Sequence, residues 1–230
     1  MLKMMVSRKQ LRPWFIVAIL FVCPVFITGC ANPPPKPEPG LEVVEYDNDG
    51  YIQAAPDVNW SRYTHFQLEE ASVEFREHWA RDLKRRDGTI IREKDEKRIK
   101  SDMSDLFSKV FSRELLNEGN WVLTEDVGAD VLRFTPRIVD LDIYAPDRVR
   151  DYIGGALADS KGRMTLELDI HDSMTGRLIA TTRQRREDPY DGYMESANSA
   201  SNHVAFRLML QRWSGWLNDW LNASRTRRPG

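Results

Sequence analysis

Arg163-Met164-Thr165-Leu166-Glu167-Leu168-Asp169-Ile170-His171-Asp172 is the stretch on which the fold turns. Met164, Leu166, Leu168 and Ile170 occupy alternate positions, with Thr165, Glu167, Asp169 and His171 between them. Successive side chains of an extended chain point to opposite faces, so this alternation predicts a strand with one buried and one wet face. Asp172-Ser173-Met174-Thr175-Gly176 has the composition of a turn, and Arg177 to Arg186 returns as the partner strand. The hairpin predicts an antiparallel sheet that needs a cover on one side.

Two segments can supply that cover. Glu93 to Glu118 repeats Ile99, Met103, Leu106, Phe107, Val110, Phe111 and Leu115 at steps of three and four, and Gly119 supplies a stop. Glu93–Lys97 and Glu96–Lys100 are i,i+4 pairs on its exposed side. A last helix is predicted over about Glu195 to Asn222. Its apolar residues, among them Phe206, Trp213, Trp216 and Trp220, fall within about 120° at 100° per residue. That stripe is read as core packing against the sheet, with a partner- or membrane-facing surface as the alternative.

The remaining elements are shorter. Thr64 to Phe75 is read as a first strand with a bulge at Glu69-Glu70, and Arg76 to Gly88 as polar chain in which Trp79 stands isolated. Trp121 to Thr124 is a short strand. Ala129 to Tyr144 is β-rich, and Pro136 within it suggests an edge or a bulge. Ala145 to Gly162 is a long hairpin connection; its Gly154-Gly155 lacks the Gly-Lys-Ser/Thr ending of a phosphate loop. The order of elements predicts an α+β fold, a single domain over residues 60–222 with a mostly antiparallel sheet and two long helices on one face. Residues 223–230 read as a frayed tail.

The amino-terminal segment differs in kind. Lys3, Arg8, Lys9 and Arg12 precede an apolar run from Trp14 to Thr28. That run is shorter than the roughly 17–25 residues of a spanning helix, and its layout is that of a secretory signal over residues 1–29. Residues 30–59 then read as a linker. Pro33, Pro34, Pro35, Pro37 and Pro39 favour polyproline II, and Leu41 to Asn59 reads as acidic, irregular chain.

Composition narrows the chemistry. Removing residues 1–29 removes four cations and no acid, which takes the formal charge from −2 to about −6. A net acidic chain offers no electrostatic case for nucleic acid. Cys23 falls within the signal, and Cys30 is the only other cysteine, so disulfides, thiolate metal sites and cysteine nucleophiles are not expected. His65, His78, His171 and His203 show no His-Glu-x-x-His spacing, and no cofactor or metal is expected. His171-Asp172-Ser173 holds the residue types of a hydrolytic triad, but neighbours on a strand diverge. Glu187-Asp188-Pro189-Tyr190-Asp191-Gly192 clusters acids without fitting an EF-hand loop. Arg183, Arg185 and Arg186 could meet lipid phosphate or an acidic partner, and Arg183 and Arg185 share a strand face. With Trp79, Trp213, Trp216 and Trp220 they form the candidate interaction surface. Should the tryptophans be buried, the 76–92 and 145–162 loops remain.

Ile27-Thr28-Gly29-Cys30 resembles the bacterial lipobox, with Ile in place of the commoner Leu. The resemblance implies signal cleavage between Gly29 and Cys30, a diacylglyceryl group on the Cys30 sulfur and an acyl chain on its amino group. An uncleaved anchor and an ordinary secreted protein are the rival readings. Ala31, where Asp would favour inner-membrane retention, implies the outer membrane. Trp60-Ser61-Arg62-Tyr63, Asp130-Val131-Leu132-Arg133 and the Asp172–Gly176 turn, together with the lipobox, resemble an uncharacterised family of proteobacterial lipoproteins, the domain-of-unknown-function family numbered 3313. That family brings no established activity and no catalytic residues. The expectation is a periplasm-facing, lipid-anchored, non-enzymatic binding or structural module of the envelope, with an envelope protein as a possible partner. The alternative is a hydrolase acting on wall or lipid. Labelled palmitate should enter the wild-type chain and not Cys30→Ser; incorporation into the variant would end the lipoprotein reading.

Overall fold

The computed structural model describes residues 33–144, 156–158, 162–188, 195–197 and 199–226. Gly29, Cys30 and the signal lie outside these residues, as do Gly154-Gly155, Pro189 to Gly192 and the last four residues. Residues 33–230 form one compact unit. In chain order its elements are β1 (Glu42–Tyr46), β2 (Gly50–Ala54), a 3-10 turn (Trp60–Arg62), β3 (His65–Leu68), β4 (Ser72–Phe75), α1 (Trp79–Asp87) and α2 (Glu93–Glu118). Then come β5 (Val122–Leu123), β6 (Val131–Ile143), β7 (Ala156–Ala158), β8 (Gly162–Asp172), β9 (Leu178–Glu187), β10 (Glu195–Ala197) and α3 (Ser199–Thr226).

The architecture is α+β. An eight-stranded sheet runs β1-β2-β9-β8-β6-β3-β5, with β4 also on β6, while β7 and β10 make a separate antiparallel pair. The sheet is mostly antiparallel, but β3 and β4 pair with β6 in parallel, as does β5 with β3. The β8–β9 hairpin forms as its alternation requires: Met164, Leu166, Leu168 and Ile170 are fully buried.

Pro136 lies in the middle of a central strand, not at an edge. The carbonyls of Asp130 and Phe134 accept hydrogen bonds from the β3 side, so by the period of two the ring nitrogen of Pro136 faces that side as well. There β3 has ended at Leu68 and β4 has not begun until Ser72. The missing donor falls in the gap between the two, where no ladder bond is lost. Glu69-Glu70 is therefore a break between two strands and not a bulge within one. The bulge of β6 comes later, at Asp140 (φ 53°), where the register shifts between Val139 and Asp142. It reverses the alternation: Ile138 is buried before it, Leu141 and Ile143 after it.

Among the described residues three helices accompany the sheet where the sequence predicts two long ones. The additional one is α1, in the stretch read as polar chain. Its amphipathy rests on two residues, Trp79 and Leu83, both buried. Gly88 closes it at φ 75°, with its N–H bonded to the Lys84 carbonyl at 3.0 Å. α2 has the predicted bounds. Gly119 stops it without a left-handed backbone; Asn120 takes that conformation, at φ 53°. Gly119 is needed for space, since a Cβ there would meet Asn218 Oδ1 and Trp121 Cδ1 at 2.3 Å. α3 begins later than predicted because Glu195–Ala197 is strand β10. It also runs further, and Arg225 stacks on Trp121 at 4.6 Å instead of fraying. Both long helices cover the face that bears Phe134, which Phe111 meets edge-on at 5.4 Å.

The stretch read as linker is largely part of the fold. β1 and β2 extend the sheet from the free side of β9. Gly50 sits against β9 so closely that a Cβ would come within 1.9 Å of the Arg183 carbonyl oxygen. The proline-rich chain lies on the open face of the sheet. Gln53, 1% exposed, accepts from the Glu38 N–H at 2.8 Å and donates to the Lys36 carbonyl at 3.1 Å, and Leu41 is buried. The folded body thus begins near Lys36, not near Trp60.

Two buried carboxylates tie the parts together. Asp142 takes Arg76 Nε at 2.8 Å and Arg163 Nη2 at 3.2 Å, joining the entry to α1 with β6 and β8. Asp172 caps the β8–β9 turn through the Thr175 N–H and hydroxyl, both at 2.8 Å. It also accepts from the Tyr63 hydroxyl at 2.7 Å and pairs with Arg62. Burial alone would raise its pKa, but the Tyr63 and Thr175 hydrogen bonds and Arg62 more than reverse that and hold it below the ordinary value. Burial, with the bond to Asp172, pushes Tyr63 up to about 12.

The lowered folded pKa of Asp172 makes its stabilisation fully present above about pH 4 and lost as pH falls through the folded value. Asp172→Asn should cost roughly 1–3 kcal/mol at neutral pH and flatten the acid side of the stability profile, read by denaturant unfolding of residues 33–230. Parallel wild-type and variant profiles would contradict this. Gln53→Ala should release the proline strap: limited proteolysis should nick residues 33–41 faster, with a stability loss of about 1–2 kcal/mol for two hydrogen bonds. Unchanged cleavage would show that the strap is held by something else.

Candidate functional site: a groove between two helices

The apolar stripe of α2 is wider than one contact requires. At 100° per residue, Phe107, Phe111 and Leu115 fall on one side of it and Met103, Val110, Ile99 and Leu106 on the other. The first set meets the sheet and α3, where Trp213 lies 5.8 Å from both Phe107 and Phe111. The second set faces a groove of about 630 Å³ between α2 and the start of α3. The helices run in the same direction, with Phe107 beside Trp213 and Gly119 beside Asn218. Ile143, just after the β6 bulge, and Phe206 of α3 complete the apolar lining.

The rim is charged. Arg98, Lys109, Arg113 and Arg207 line the groove against two acids, Asp102 and Asp105. Arg98 is paired with Asp102 at 3.3 Å. Lys109, Arg113 and Arg207 have no ion pair among the described residues. Lys109 and Arg113 stand one turn apart on α2, a like-charge i,i+4 placement, while Asp105 stands one turn before Lys109 and offsets part of that repulsion. Val204, 45% exposed, forms the lip on α3. The groove pairs an apolar interior with a net cationic edge, in a chain whose formal charge is −2.

The predicted surface lies elsewhere or is not surface. Trp79 is 2% exposed, stacks on Phe75 at 4.0 Å and donates Nε1 to the Ile143 carbonyl at 3.0 Å. Trp213 is fully buried. Trp220 packs edge-on to Trp60 at 5.1 Å. Of the stripe's tryptophans Trp216 is half-buried, and its Nε1 donates to Glu45 Oε1 at 2.9 Å. These rings are core or its border, because they occupy the 120° of α3 that turns to the sheet. Arg183 and Arg185 do share the open face of the sheet, but Arg183 pairs with Glu167, and Arg185 with Glu187 at 3.0 Å. Arg137 bridges Glu167 and Asp169 beside them, at 3.0 and 2.8 Å. Their donors are committed within the sheet.

The residues of the triad pattern do not converge. Asp172 is buried against Tyr63 and Arg62, whereas Ser173 Oγ donates to the Gly128 carbonyl at 3.0 Å. His171 stands on the open face, its pKa lowered by burial and by Arg133. Among the described residues no three His, Cys, Asp or Glu side chains are grouped to hold a metal, and no helix is long and apolar enough to cross a membrane. The 76–92 stretch holds α1, and most of the 145–162 connection lies outside the described residues. The groove was missed because α2 was read as one face; the width of its stripe and the flanking Lys109 and Arg113 were the available signal.

No family model matches this chain, and no curated protein matches its sequence. The resemblance to the family numbered 3313 stays one of short motifs. Several solved structures are similar. One is a protein from Xanthomonas campestris described under the family model DUF330: 13% identity, 70% of this chain and 85% of that chain, TM-score 0.42. Another is PelC from Paraburkholderia phytofirmans, solved as a dodecamer: 7% identity, 78% of this chain and 99% of that chain, TM-score 0.35. A third is a minor lipoprotein from Acinetobacter baumannii: 16% identity, 71% of this chain and 95% of that chain, TM-score 0.33.

Proposed function

We propose that this chain is an outer-membrane-anchored, periplasm-facing lipoprotein that acts as a non-enzymatic binding module of the cell envelope, and that it binds through the α2–α3 groove. The observation that carries the reading is the groove itself: an apolar floor with Ile99 half-exposed and Val204 open at its lip, beside Lys109, Arg113 and Arg207, which make no direct ion pair among the described residues. Four arginines elsewhere in the domain, Arg76, Arg137, Arg177 and Arg183, are held by carboxylates.

The strap supports the anchored part of the reading. Two acyl signals on Cys30 would hold the chain stably to a bilayer. Lys36 is the first residue bound to the sheet, so six residue steps separate it from Cys30. At about 3.1 Å per residue in polyproline II, the body would hang within roughly 19 Å of its lipid. A module on so short a tether meets ligands that are in the membrane or beside it.

A photo-crosslinking amino acid placed at Val204, on the lip, should yield a defined adduct in whole cells. The same probe at Met174, exposed at the β8–β9 turn, should not. Cys30→Ser should abolish the Val204 adduct while the domain stays folded. Adducts equal at both positions, or none at Val204, would overturn the reading.

A further inference from the structure

The chemistry of the groove narrows what can fill it, given that it is the binding site named above. Both walls are α-helices, whose backbone donors and acceptors are consumed internally. Nothing in the apolar part offers a peptide strand the ladder bonds that strand addition uses. The groove measures about 630 Å³. The volume falls in the range of small-molecule sites. Ile99, Met103, Leu106, Val110, Ile143 and Phe206 supply no hydrogen-bonding side chain; Asn202 and His203 are the polar residues at the α3 end of the groove.

The rim supplies what the interior lacks. Lys109 and Arg113 raise the local positive potential by their i,i+4 placement, and Arg207 faces the groove from α3. An anion seated there meets three cations that make no direct ion pair among the described residues. Arginine forks match phosphate oxygens in bidentate fashion, and a lysine adds a point charge. An apolar body and an anionic head on one molecule describe an amphiphile.

We propose that the α2–α3 groove takes an acyl chain of an anionic phospholipid, with the phosphate held by Lys109, Arg113 and Arg207. The acyl chain covers the half-exposed Ile99 and the exposed Val204, over the buried Met103, Leu106 and Val110, and the headgroup stays at the open edge. The protein is then a lipid-binding module whose own anchor keeps it at the source of its ligand. The step is non-covalent: no bond is made or broken.

The test uses the full chain in its own membrane. Cells are grown on a fatty acid carrying a diazirine and an alkyne, so that their phospholipids carry both groups, and are irradiated before the chain is isolated and its peptides mapped by mass. The expected adducts lie on the peptides that hold residues 99–113 and 202–208, and carry the mass of a phospholipid. Lys109→Glu with Arg113→Glu should reduce them at least tenfold. Both side chains are exposed, so the fold is kept, and Lys109→Arg with Arg113→Lys should restore labelling. Three outcomes overturn the proposal: no adduct on those peptides, labelling unaffected by charge reversal, or an adduct that lacks phosphate because it is the acyl chain of Cys30. If the Val204 probe meanwhile captures a protein, the binding module stands and the lipid assignment fails; if it captures nothing, both fail.

Discussion

The fold depends on hydrogen bonding along both edges of β6. This strand carries the β8–β9–β2–β1 half of the sheet on one side and the parallel β3 and β4 on the other. A proline in such a place removes a donor that the ladder would use. The chain accommodates it by splitting the neighbouring strand into β3 and β4 and leaving the gap opposite Pro136. The Asp140 bulge then turns Leu141 and Ile143 inward, which places Ile143 both over α1, where its carbonyl receives Trp79, and at the groove. Proline, gap and bulge together decide where the sheet ends and the groove begins.

The two faces of the sheet are held by different physics. The helix side is closed by apolar and aromatic packing, with Trp213 among Phe107 and Phe111. The other side is a lattice of ion pairs, Arg137 with Glu167 and Asp169 and Arg183 with Glu167. Exposed pairs of this kind contribute little each. Their larger effect is to occupy the arginines, so that open-face cations are not available to a ligand. The cations on the groove rim differ in degree: Asp105 stands one turn before Lys109 and Glu114 beside Arg113, but neither makes a direct ion pair with them among the described residues.

Much of the fold was legible in the sequence, and the limits have physical causes. The β8–β9 hairpin and α2 were read with accurate bounds because one period dominates each: two residues in Arg163–Asp172, three and four in Glu93–Glu118. α1 was missed because its single helical turn of apolar pattern, Trp79 and Leu83, is submerged among Arg81, Lys84, Arg85 and Arg86. β1 and β2 were missed because Asp47-Asn48-Asp49-Gly50 was taken as irregular chain; it is the turn of a hairpin, in which the Asp47 carboxylate accepts the Asp49 and Gly50 N–H groups at 2.8 Å. The candidate surface failed for a different reason. Aromatic residues on a helix stripe look alike whether they meet a partner or a sheet, and only the sheet's position decides. The groove was half legible, since the apolar side chains of α2 span about 180°, more than one packed face can absorb.

The strap on Gln53 has a mechanical consequence. A pull applied from the amino-terminal side reaches the body first at the Lys36 and Glu38 hydrogen bonds, then at Leu41, then at β1, the outermost strand of the sheet. Such a load peels ladder bonds singly from an edge and does not shear several at once across the centre. The interior strands and the α2–α3 pair are thereby shielded. Tension would strip this border first, taking the Glu45 partner of Trp216 and then Ile52 from the core.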